Sequence, residues 1–404
     1  MIQKTPKVLL LEGIHTCAAE RLRSVGYYVE AEGHSLSGQE LVDRVQGFDA
    51  LGIRSKTHMT EEVLQKLPQL RAIGAFCIGT NQIDLEYSNK DATCVFNAPY
   101  ANTRSVAELV IGELVMLARK LGDRSSAAHR GVWMKSAAGS NEIRGKVLGI
   151  VGYGHIGSQL SILAEAMGLT VLYYDIIKKL PLGNARPVDT FEELLQQADF
   201  VSFHVPETPE TKGMMGAGEL GLMRKGTYLI NASRGTVVDI PALSAHLKNG
   251  HLAGAAIDVF PKEPASNKER FESELQELEN VILTPHIGGS TEEAQAAIGL
   301  EVAESFINFF EKGSTIGAVN FPNLDAPPVE EVPRILNVHL NTPGVLGKIN
   351  SIVSAAGGNI RRQFLSTDAH IGYLIMDMGR SDVDRVASEI SQLETSLRTH
   401  IILP

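Results

Sequence analysis

The feature that most constrains this chain is a short apolar run that leads directly into a glycine-rich turn. Lys146-Val-Leu-Gly-Ile-Val151 has the composition of a buried strand, and Gly152, Gly154 and Gly157 follow it in the spacing G-x-G-x-x-G, before a helical pattern that reaches Met167. Gly152 permits a tight turn, Gly154 lets a pyrophosphate approach the backbone, and Gly157 lets the helix pack closely on the strand. The N-terminus of that helix offers free N–H groups to phosphates, so the segment predicts a dinucleotide site.

An acidic residue at the end of the next strand favours NAD over NADP. The apolar run Thr170-Val-Leu-Tyr-Tyr174 ends in Asp175, eighteen positions beyond Gly157. A carboxylate at this place accepts both ribose hydroxyls of an adenosine and repels a 2′-phosphate. Because a glycine turn between strand and helix also serves packing alone, the prediction rests on strand, turn, helix and acid together.

Composition narrows the classes of partner. The 404 residues allow two or three domains, and a net charge of −10 without any run of Lys or Arg argues against nucleic-acid binding. Cys17, Cys77 and Cys94 are few and far apart, which favours free thiols over a disulfide scaffold or a zinc site. No segment has the length and apolarity of a membrane span, and the N-terminus lacks a signal-peptide pattern. We therefore expect no metal, no membrane association and a cytoplasmic location.

Alternating strand and helix patterns predict an α/β fold with two parallel-sheet lobes, a flavodoxin-like lobe and a Rossmann lobe. The first lobe begins with the strand Val8–Leu11, and a long amphipathic helix from Arg104 to about Lys120, with Asn102 or Thr103 as N-cap, leads into the second. A second long helix, from Thr291 to about Phe310, returns the chain. The first lobe is therefore predicted to be discontinuous.

The predicted domain bounds follow from these two long helices, each of which leads from one lobe to the other. Residues 1–101 and 290–325 form a substrate-binding domain, with Ala318–Phe321 as a strand that rejoins its sheet, and residues 102–289 form the NAD-binding domain. Residues 326–332 lie in a Pro- and acid-rich stretch that is typical of a linker.

Residues 333–404 read as a separate unit with the element order β-α-β-β-α-β. This order is that of a ferredoxin-like sandwich, with two helices on one side of a four-stranded sheet. Its exposed edge strand favours pairing with a second copy of the chain, so we expect a homo-oligomer.

Three polar side chains follow buried strands of the second lobe, at the edge where such sheets bind ligands: Arg234, Glu263 and His286. Hydride exchange between a nicotinamide and a carbonyl needs a group that gives or takes the alcohol proton, and histidine titrates in the useful range. Glu263 on the far ring nitrogen would raise the pKa of His286, and Arg234 would bind the α-carboxylate of a 2-hydroxy acid. Each residue alone is also an ordinary turn or surface residue. Together they predict a catalytic set.

These residues resemble the D-isomer-specific 2-hydroxyacid dehydrogenases. The resemblance rests on the glycine turn with Asp175, on Ala232-Ser-Arg-Gly235, on Asp258 with Pro261-Lys-Glu-Pro264, and on Pro285-His-Ile-Gly-Gly-Ser-Thr291. It implies a Rossmann fold, NAD as cofactor and the catalytic roles of Arg, Glu and His given above.

Further segments are similar to one branch of that family, the branch that ends in an ACT domain. They are Cys77–Asp84, Asn97–Glu108, Asn341–Leu346 and Gly358–Ile360. The branch implies oxidation of D-3-phosphoglycerate to 3-phosphohydroxypyruvate, the first committed step of L-serine synthesis. It also implies a tetramer whose ACT domains bind L-serine across a dimer interface as a feedback inhibitor.

The resemblance implies a set of contacts for each ligand. The implied NAD contacts are Gly152, Gly154, His155, Ile156, Gly157, Asp175, His204, Ala232, Ser233, Arg234, Asp258, His286, Gly288 and Gly289. The implied substrate contacts are Arg54, Ser55, Gly79, Asn102 and Lys135. The implied serine contacts are His339, Asn341 and Asn359. His204 is interpreted as a cofactor-side or structural residue, not as a second acid.

Two other functions stay open on the sequence. Arg54 could bind a distal carboxylate as readily as a phosphate, which would suit 2-hydroxyglutarate and 2-oxoglutarate in a side activity or in another D-2-hydroxyacid dehydrogenase. A non-catalytic NAD-sensing interaction protein is the third reading, because transcriptional corepressors resemble this family. The ACT-like C-terminal unit disfavours it.

Overall fold

The computed structural model describes residues 5–264, 268–379 and 383–404. It divides into a first unit, residues 1–101 with 295–404, and a second unit, residues 102–294. The strands are β1 Lys7–Leu10, β2 Tyr28–Ala31, β3 Ala50–Ile53, β4 Ala72–Ala75, β5 Cys94–Asn97, β6 Val147–Val151, β7 Thr170–Tyr174, β8 Arg186–Pro187, β9 Phe200–Phe203, β10 Tyr228–Asn231, β11 Gly254–Ile257, β12 Val281–Leu283, β13 Arg334–Leu340, β14 Ile360–Thr367, β15 Ile371–Met378 and β16 Ser396–Ile402. The helices are α1 Thr16–Ser24, α2 Gly38–Val45, α3 Glu61–Leu64, α4 Leu85–Lys90, α5 Thr103–Arg119, α6 Leu121–His129, α7 His155–Ala166, α8 Phe191–Gln197, α9 Ala217–Leu222, α10 Ile240–Lys248, α11 Glu292–Lys312, α12 Val345–Ala355 and α13 Val383–Ser391.

The first unit contains a five-stranded parallel sheet in the order β2-β1-β3-β4-β5. Every residue of β3 and β4 is buried, as expected for a parallel sheet that is covered on both faces. On one face α11 approaches the sheet so closely that a Cβ on Gly74 would lie 2.5 Å from a methyl group of Val302. Phe306 of α11 then packs edge-on against Phe76 and Phe96.

The predicted strand Ala318–Phe321 is wrong, because only an isolated antiparallel bridge joins Ala318 to Phe96. The side chain of Asn320 takes the place of a neighbouring strand. Its Oδ1 accepts the N–H of Val95 at 2.8 Å and its Nδ2 donates to the carbonyl of Thr93 at 2.9 Å. The N–H of Val319 also donates to the carbonyl of Val95 at 2.8 Å. The outer edge of β5 is therefore satisfied partly by this side chain and partly by one backbone bond, without a further strand.

The second unit contains a seven-stranded parallel sheet in the order β12-β11-β10-β9-β6-β7-β8. The strand order reverses between β6 and β9, and the glycine turn leaves β6 at this switch point, where doubly wound sheets bind ligands. Helix α5 packs on α7 on one side of the sheet. Asn102 occupies the N-cap position of α5, as predicted, but its side chain makes no capping hydrogen bond.

The C-terminal part of the first unit is a four-stranded antiparallel sheet in the order β14-β15-β13-β16. Its element order, β13-α12-β14-β15-α13-β16, confirms the predicted ferredoxin-like sandwich. The fully buried Arg334 forms a bidentate pair with Asp377, at 2.6 and 2.8 Å, and donates through Nη1 to the carbonyls of Lys312 and Pro327. These bonds fix the sheet to the end of α11.

The predicted fold class is confirmed by both parallel sheets and by the antiparallel C-terminal sheet. Across the described ranges, every helix is too short or too polar to cross a lipid bilayer.

Candidate active site

The glycine turn between β6 and α7 leaves open backbone where the sequence predicts a pyrophosphate. Gly152 has a φ of +90°, and a Cβ there would lie 2.5 Å from the carbonyl oxygen of His204. A Cβ on Gly157 would lie 2.2 Å from the carbonyl oxygen of Gly152. Gly154, in contrast, has nothing within 4 Å of its Cβ position. The first and third glycines are therefore required by the protein itself, whereas the second faces open space that a ligand can occupy.

Asp175 lies immediately after β7 and is held beside this turn. Its Oδ2 accepts the N–H of Tyr153 at 2.8 Å, and its Oδ1 accepts the N–H of Ile177 at 2.9 Å. Each carboxylate oxygen retains a further lone pair, so the group can also accept hydrogen bonds from ribose hydroxyls. His155 and Ile156 begin α7, whose first N–H groups point toward the same space. The residues fit a dinucleotide.

His204 follows β9 on the other side of the glycine turn. Its N–H donates to the carbonyl of Val151, and its Nε2 lies 2.9 Å from the hydroxyl of Ser202. The Nδ1 atom is buried without a hydrogen-bond partner, and burial lowers the pKa of His204 to about 4. A neutral imidazole here suits a cofactor-side or structural residue better than an acid.

Asp258 organises the loop that carries His286. Its Oδ1 accepts from the Thr284 hydroxyl at 2.6 Å and from the Ile287 N–H at 2.8 Å, and its Oδ2 accepts from the Gly288 N–H at 2.9 Å. The N–H of His286 donates to the carbonyl of Asp258, and His286 itself has a φ of +54°. This left-handed backbone is costly for a histidine, and such strain is typical of functional positions.

His286 and Glu263 form a hydrogen-bonded pair. Nδ1 of His286 lies 2.9 and 3.1 Å from the two carboxylate oxygens of Glu263. This hydrogen bond raises the pKa of His286 even though partial burial opposes the charge. Burial disfavours ionised Glu263 as well, but the bond and charge of His286, the N–H of Phe260 and the charge of Arg234 together hold its pKa below the usual value. The hydrogen bond between the two side chains therefore favours the imidazolium and the carboxylate.

Arg234 lies next to that pair on the loop after β10. The amide of Asn231 anchors the loop, since its Nδ2 donates to the carbonyl of Arg234 at 2.9 Å and its Oδ1 accepts from the N–H and hydroxyl of Ser233. A Cβ on Gly235 would lie 2.0 Å from the carbonyl carbon of Phe260, so the loop passes directly over the segment that leads to Glu263. The structure thus brings Arg234, Glu263 and His286 together.

Two residues of the second unit predicted as substrate contacts differ in their surroundings. Asn102 lies beside the histidine loop, because a Cβ on Gly289 would be 2.5 Å from its Nδ2, and its Oδ1 is buried without a partner. Lys135 is exposed in the segment after α6, next to Trp133, whose residue is 85% exposed. Among the described residues, Lys135 forms no hydrogen bond or ion pair with the loops above.

The first unit presents Arg54, Ser55 and Gly79 on two loops that are tied to each other. The carboxylate of Glu12 accepts the backbone N–H groups of Arg54, Lys56 and Thr57 at 3.1, 3.0 and 2.8 Å. The amide of Gln82 donates to the carbonyls of Arg54 at 2.6 Å and Gly79 at 3.3 Å.

Sequence reasoning missed Glu12 and Gln82, and it also missed Glu113 on α5. Glu12 follows β1, which pairs with β3 in the register Leu10 to Gly52, and this placement is the signal that could have revealed it. Both carboxylate oxygens of Glu113 are buried without partners, and burial together with the charge of Asp258 raises its pKa to about 8.

The predicted serine contacts do not converge within one chain. His339 is buried at the end of β13, where its Nδ1 bonds Asn337 at 2.9 Å, and Asn341 follows it and donates to the carbonyl of Asp368. Asn359 precedes β14, which runs parallel to β13 because both are antiparallel to β15. Asn359 therefore lies at the opposite end of the sheet from Asn341.

Within the described residues, no three or more His, Cys, Asp or Glu side chains are grouped so that they could hold a metal ion.

Known protein families match both the NAD-binding lobe and the C-terminal sheet of this chain. A family profile for the NAD-binding domain of D-isomer specific 2-hydroxyacid dehydrogenases matches residues 111–288, and a profile for an ACT domain like that of the AHAS small subunit matches residues 335–398. Among characterised sequences, D-3-phosphoglycerate dehydrogenase of Dictyostelium discoideum is 50% identical over 98% of this chain and 97% of its own length. That of Escherichia coli K12 is 55% identical over 92% of this chain and 91% of its own.

Two solved structures resemble this chain over most of its length. The TT0316 protein of Thermus thermophilus is 31% identical, with a TM-score of 0.70 over 78% of this chain and 99% of its own. D-lactate dehydrogenase of Aquifex aeolicus, solved with NAD and lactic acid, is 26% identical, with a TM-score of 0.68 over 78% of this chain and 100% of its own. The cofactor of the second unit is therefore NAD.

Proposed function

This chain belongs to the D-3-phosphoglycerate dehydrogenase family, and from that membership we propose that it oxidises D-3-phosphoglycerate to 3-phosphohydroxypyruvate with NAD. The observation that carries the proposal is the hydrogen-bonded pair of His286 and Glu263, with Arg234 beside it, on an NAD-binding lobe. This oxidation would be the first committed step of L-serine synthesis, so the enzyme would serve amino-acid biosynthesis.

The cofactor supplies a hydride acceptor for the carbon that bears the 2-hydroxyl group. Gly154 and the first N–H groups of α7 would hold its pyrophosphate, and Asp175 would accept its ribose hydroxyls. The remaining proposed contacts, on the loops after β9, β10, β11 and β12, are His204, Ala232, Ser233, Arg234, Asp258, His286, Gly288 and Gly289.

The proton of the substrate hydroxyl is proposed to pass to Nε2 of His286 as the hydride leaves the carbon. Glu263 holds the other ring nitrogen, so it fixes the orientation of the ring and stabilises the imidazolium that results. In the reverse direction the imidazolium returns the proton to the carbonyl oxygen. The raised pKa of His286 favours the protonated ring that this direction needs.

Arg234 is proposed to bind the α-carboxylate of the substrate. One Nη atom already donates to the carbonyl of Ser233 at 2.8 Å, which restrains the guanidinium. Its other N–H groups can form the paired, charge-assisted hydrogen bonds that fix a carboxylate and polarise the adjacent carbonyl.

The phosphate is proposed to bind the loop that Glu12 and Gln82 hold. Arg54 supplies the charge, and Ser55 and the backbone at Gly79 supply further donors. Asn102 and Lys135 are proposed as additional substrate contacts. Because a distal carboxylate satisfies the same arginine, we also propose a weaker side activity that reduces 2-oxoglutarate to 2-hydroxyglutarate.

The ACT domain is proposed to bind L-serine as a feedback inhibitor. Since Asn341 and Asn359 lie at opposite ends of one sheet, the proposal requires that each serine is held by His339 and Asn341 of one copy and Asn359 of another. We accordingly propose a cytoplasmic homotetramer, with a substrate-binding domain of residues 1–101 and 290–325, an NAD-binding domain of residues 102–289, a linker of residues 326–332 and the ACT domain of residues 333–404.

The experiment that tests this function is NADH formation with D-3-phosphoglycerate, D-2-hydroxyglutarate and D-lactate in parallel, each with and without L-serine. We expect selective oxidation of phosphoglycerate, suppression by serine, and a loss of about 100-fold or more in kcat for His286→Asn. Equal rates on all three acids would refute the phosphate assignment. Unchanged turnover in His286→Asn would refute the acid–base assignment.

A further inference from the structure

A cavity of about 390 Å³ lies in the first unit, at the β16 edge of the C-terminal sheet. Its walls come from the segment that enters β4, from the end of α4 and from β16. The polar residues that line it are Gln69, Arg71, Asp91, Arg398, Thr399 and His400. None of them has a part in the proposed reaction or in the proposed serine site.

Arg71 brings a largely buried cation to this cavity, and it forms no ion pair with any residue in the part of the chain that the structure describes. Its guanidinium carbon lies 4.7 Å from the ring centre of Phe310 and 5.9 Å from that of Phe309. The Nε atom is buried and has no hydrogen-bond partner, and burial lowers the pKa of Arg71 to about 10. Aromatic rings offset only part of the cost of burying a cation, and the Nε–H of Arg71 is left without an acceptor among the described residues.

Arg398 adds a second positive charge on the other wall. Its guanidinium donates to the carbonyls of Leu70, Pro68 and Asp91, and it lies 3.6 Å from the Asp91 carboxylate. Most of its donors are therefore already used by the protein. Asp91 offsets part of the charge of Arg398, and Asp49 acts in the same way on Arg71. Burial raises the pKa of the Asp91 carboxyl, which weakens its share.

His400 lies on the same face of β16 as Arg398, two residues further along the strand. Its Nε2 atom is buried and has no hydrogen-bond partner among the described residues. Burial and the charges of Arg71 and Arg398 lower the pKa of His400 to about 2, so the ring is neutral. A neutral imidazole can donate from this nitrogen to an anion without adding charge.

We propose that this cavity binds a small phosphate anion, either inorganic phosphate or the phosphate group of a small phosphomonoester, between Arg71 and His400. Both side chains line the cavity, so phosphate oxygens can accept hydrogen bonds from the Arg71 guanidinium and the His400 ring, and the negative charge complements the two arginines, which a neutral or cationic ligand cannot do. The volume is within the usual range of small-molecule sites. The anion would also join the loops of the parallel sheet to the C-terminal sheet, because its partners come from both.

Isothermal titration of the full-length protein with inorganic phosphate tests the proposal, with β-glycerophosphate and acetate in parallel at constant ionic strength. The Arg54→Met variant removes the proposed substrate phosphate contact, and phosphate binding should persist in it. Arg71→Met keeps an apolar stem on Phe310 and removes the charge. We expect it to weaken binding roughly 10- to 100-fold, the effect of one or two charge-assisted hydrogen bonds.

Two more variants provide a second test of the site and a matched control. His400→Phe removes the second donor and carries the test if Arg71→Met lowers the melting temperature. Arg361→Met, an exposed residue of β14 paired with Glu331, is the matched control and should bind as the wild type does. Tighter binding of glycerophosphate than of phosphate would identify a phosphomonoester as the ligand. Binding that is lost in Arg54→Met, that is unchanged in both Arg71→Met and His400→Phe, or that acetate equals would overturn the proposal.

Discussion

The carboxylate of Glu12 accepts the backbone N–H of Arg54 at 3.1 Å across 42 positions of sequence. The same carboxylate accepts from Lys56 and Thr57, and Glu12 adopts a left-handed φ of +64° to do so. One buried acid therefore gathers three backbone donors and sets the shape of the loop on which Arg54 stands. An anion collected by backbone N–H groups forms strong, oriented hydrogen bonds.

Glu12→Gln should loosen this loop while leaving every side chain of the proposed reaction in place. The amide loses the charge assistance of its hydrogen bonds and offers one acceptor oxygen in place of two, which costs about 1–3 kcal/mol of folding free energy. We expect KM for D-3-phosphoglycerate to rise roughly tenfold with a smaller change in kcat, measured by steady-state kinetics alongside thermal unfolding. Glu20→Gln, on the exposed side of α1, is the matched control. An unchanged KM in Glu12→Gln would show that the loop keeps its shape without this acid.

Glu263→Gln should move the pH profile toward acid in both directions of the reaction. The hydrogen bond to Glu263 raises the pKa of His286, so its loss lowers that pKa. Keto-acid reduction needs the protonated ring and fails as pH rises through this pKa, so its alkaline limb should shift to lower pH. Oxidation needs the neutral ring and fails as pH falls through the same pKa, so its acid limb should shift the same way.

The measurement is kcat/KM against pH for both directions, with Glu192→Gln on the exposed face of α8 as control. We expect kcat to fall by roughly 10- to 100-fold in Glu263→Gln, because the ring also loses its fixed orientation. Profiles whose limbs coincide with those of the wild type would assign the titration to another group.

Gly154→Ala should weaken NAD binding without loss of stability, whereas Gly157→Ala should lower the stability of the protein itself. The Cβ at 157 would lie 2.2 Å from a backbone oxygen, so we expect it to lower the free energy of unfolding by about 1–3 kcal/mol. The Cβ at 154 meets nothing within 4 Å, so the protein should melt as the wild type does. Its methyl group would occupy space needed by the pyrophosphate, and NAD affinity should fall roughly tenfold or more. Calorimetry measures the melting temperature of each variant, and titration with NAD measures its affinity for the cofactor. Full NAD affinity in Gly154→Ala would move the pyrophosphate away from this turn.

Local patterns explain what the sequence predicted well. The glycine turn, Asp175 and the strand-end position of His286 each depend on a few adjacent residues, and the structure has them where the patterns place them. Glu12 carries no local signal, because its partners are 42 to 45 positions away. The strand predicted over Ala318–Phe321 failed for a related reason. The side chain of Asn320 bonds the edge of β5 where the sequence pattern suggested a strand. Contacts that the fold assembles from distant segments leave no periodicity to detect.

Subunit mixing tests the composite serine site. Asn341 follows the end of β13 and Asn359 precedes the start of β14, so about 20 Å of parallel strand separates them within one chain. If each serine is held by Asn341 of one copy and Asn359 of another, Asn341→Ala and Asn359→Ala homo-oligomers should each lose serine inhibition.

A mixed dimer of the two variants contains one doubly altered site and one intact site, so co-expression of the two should restore part of the inhibition. Serine inhibition of D-3-phosphoglycerate oxidation is the measurement, with each variant mixed with itself as the control. If the mixed protein stays insensitive while both variants bind NAD and turn over normally, each serine site is contained in a single chain and the two asparagines do not share a ligand.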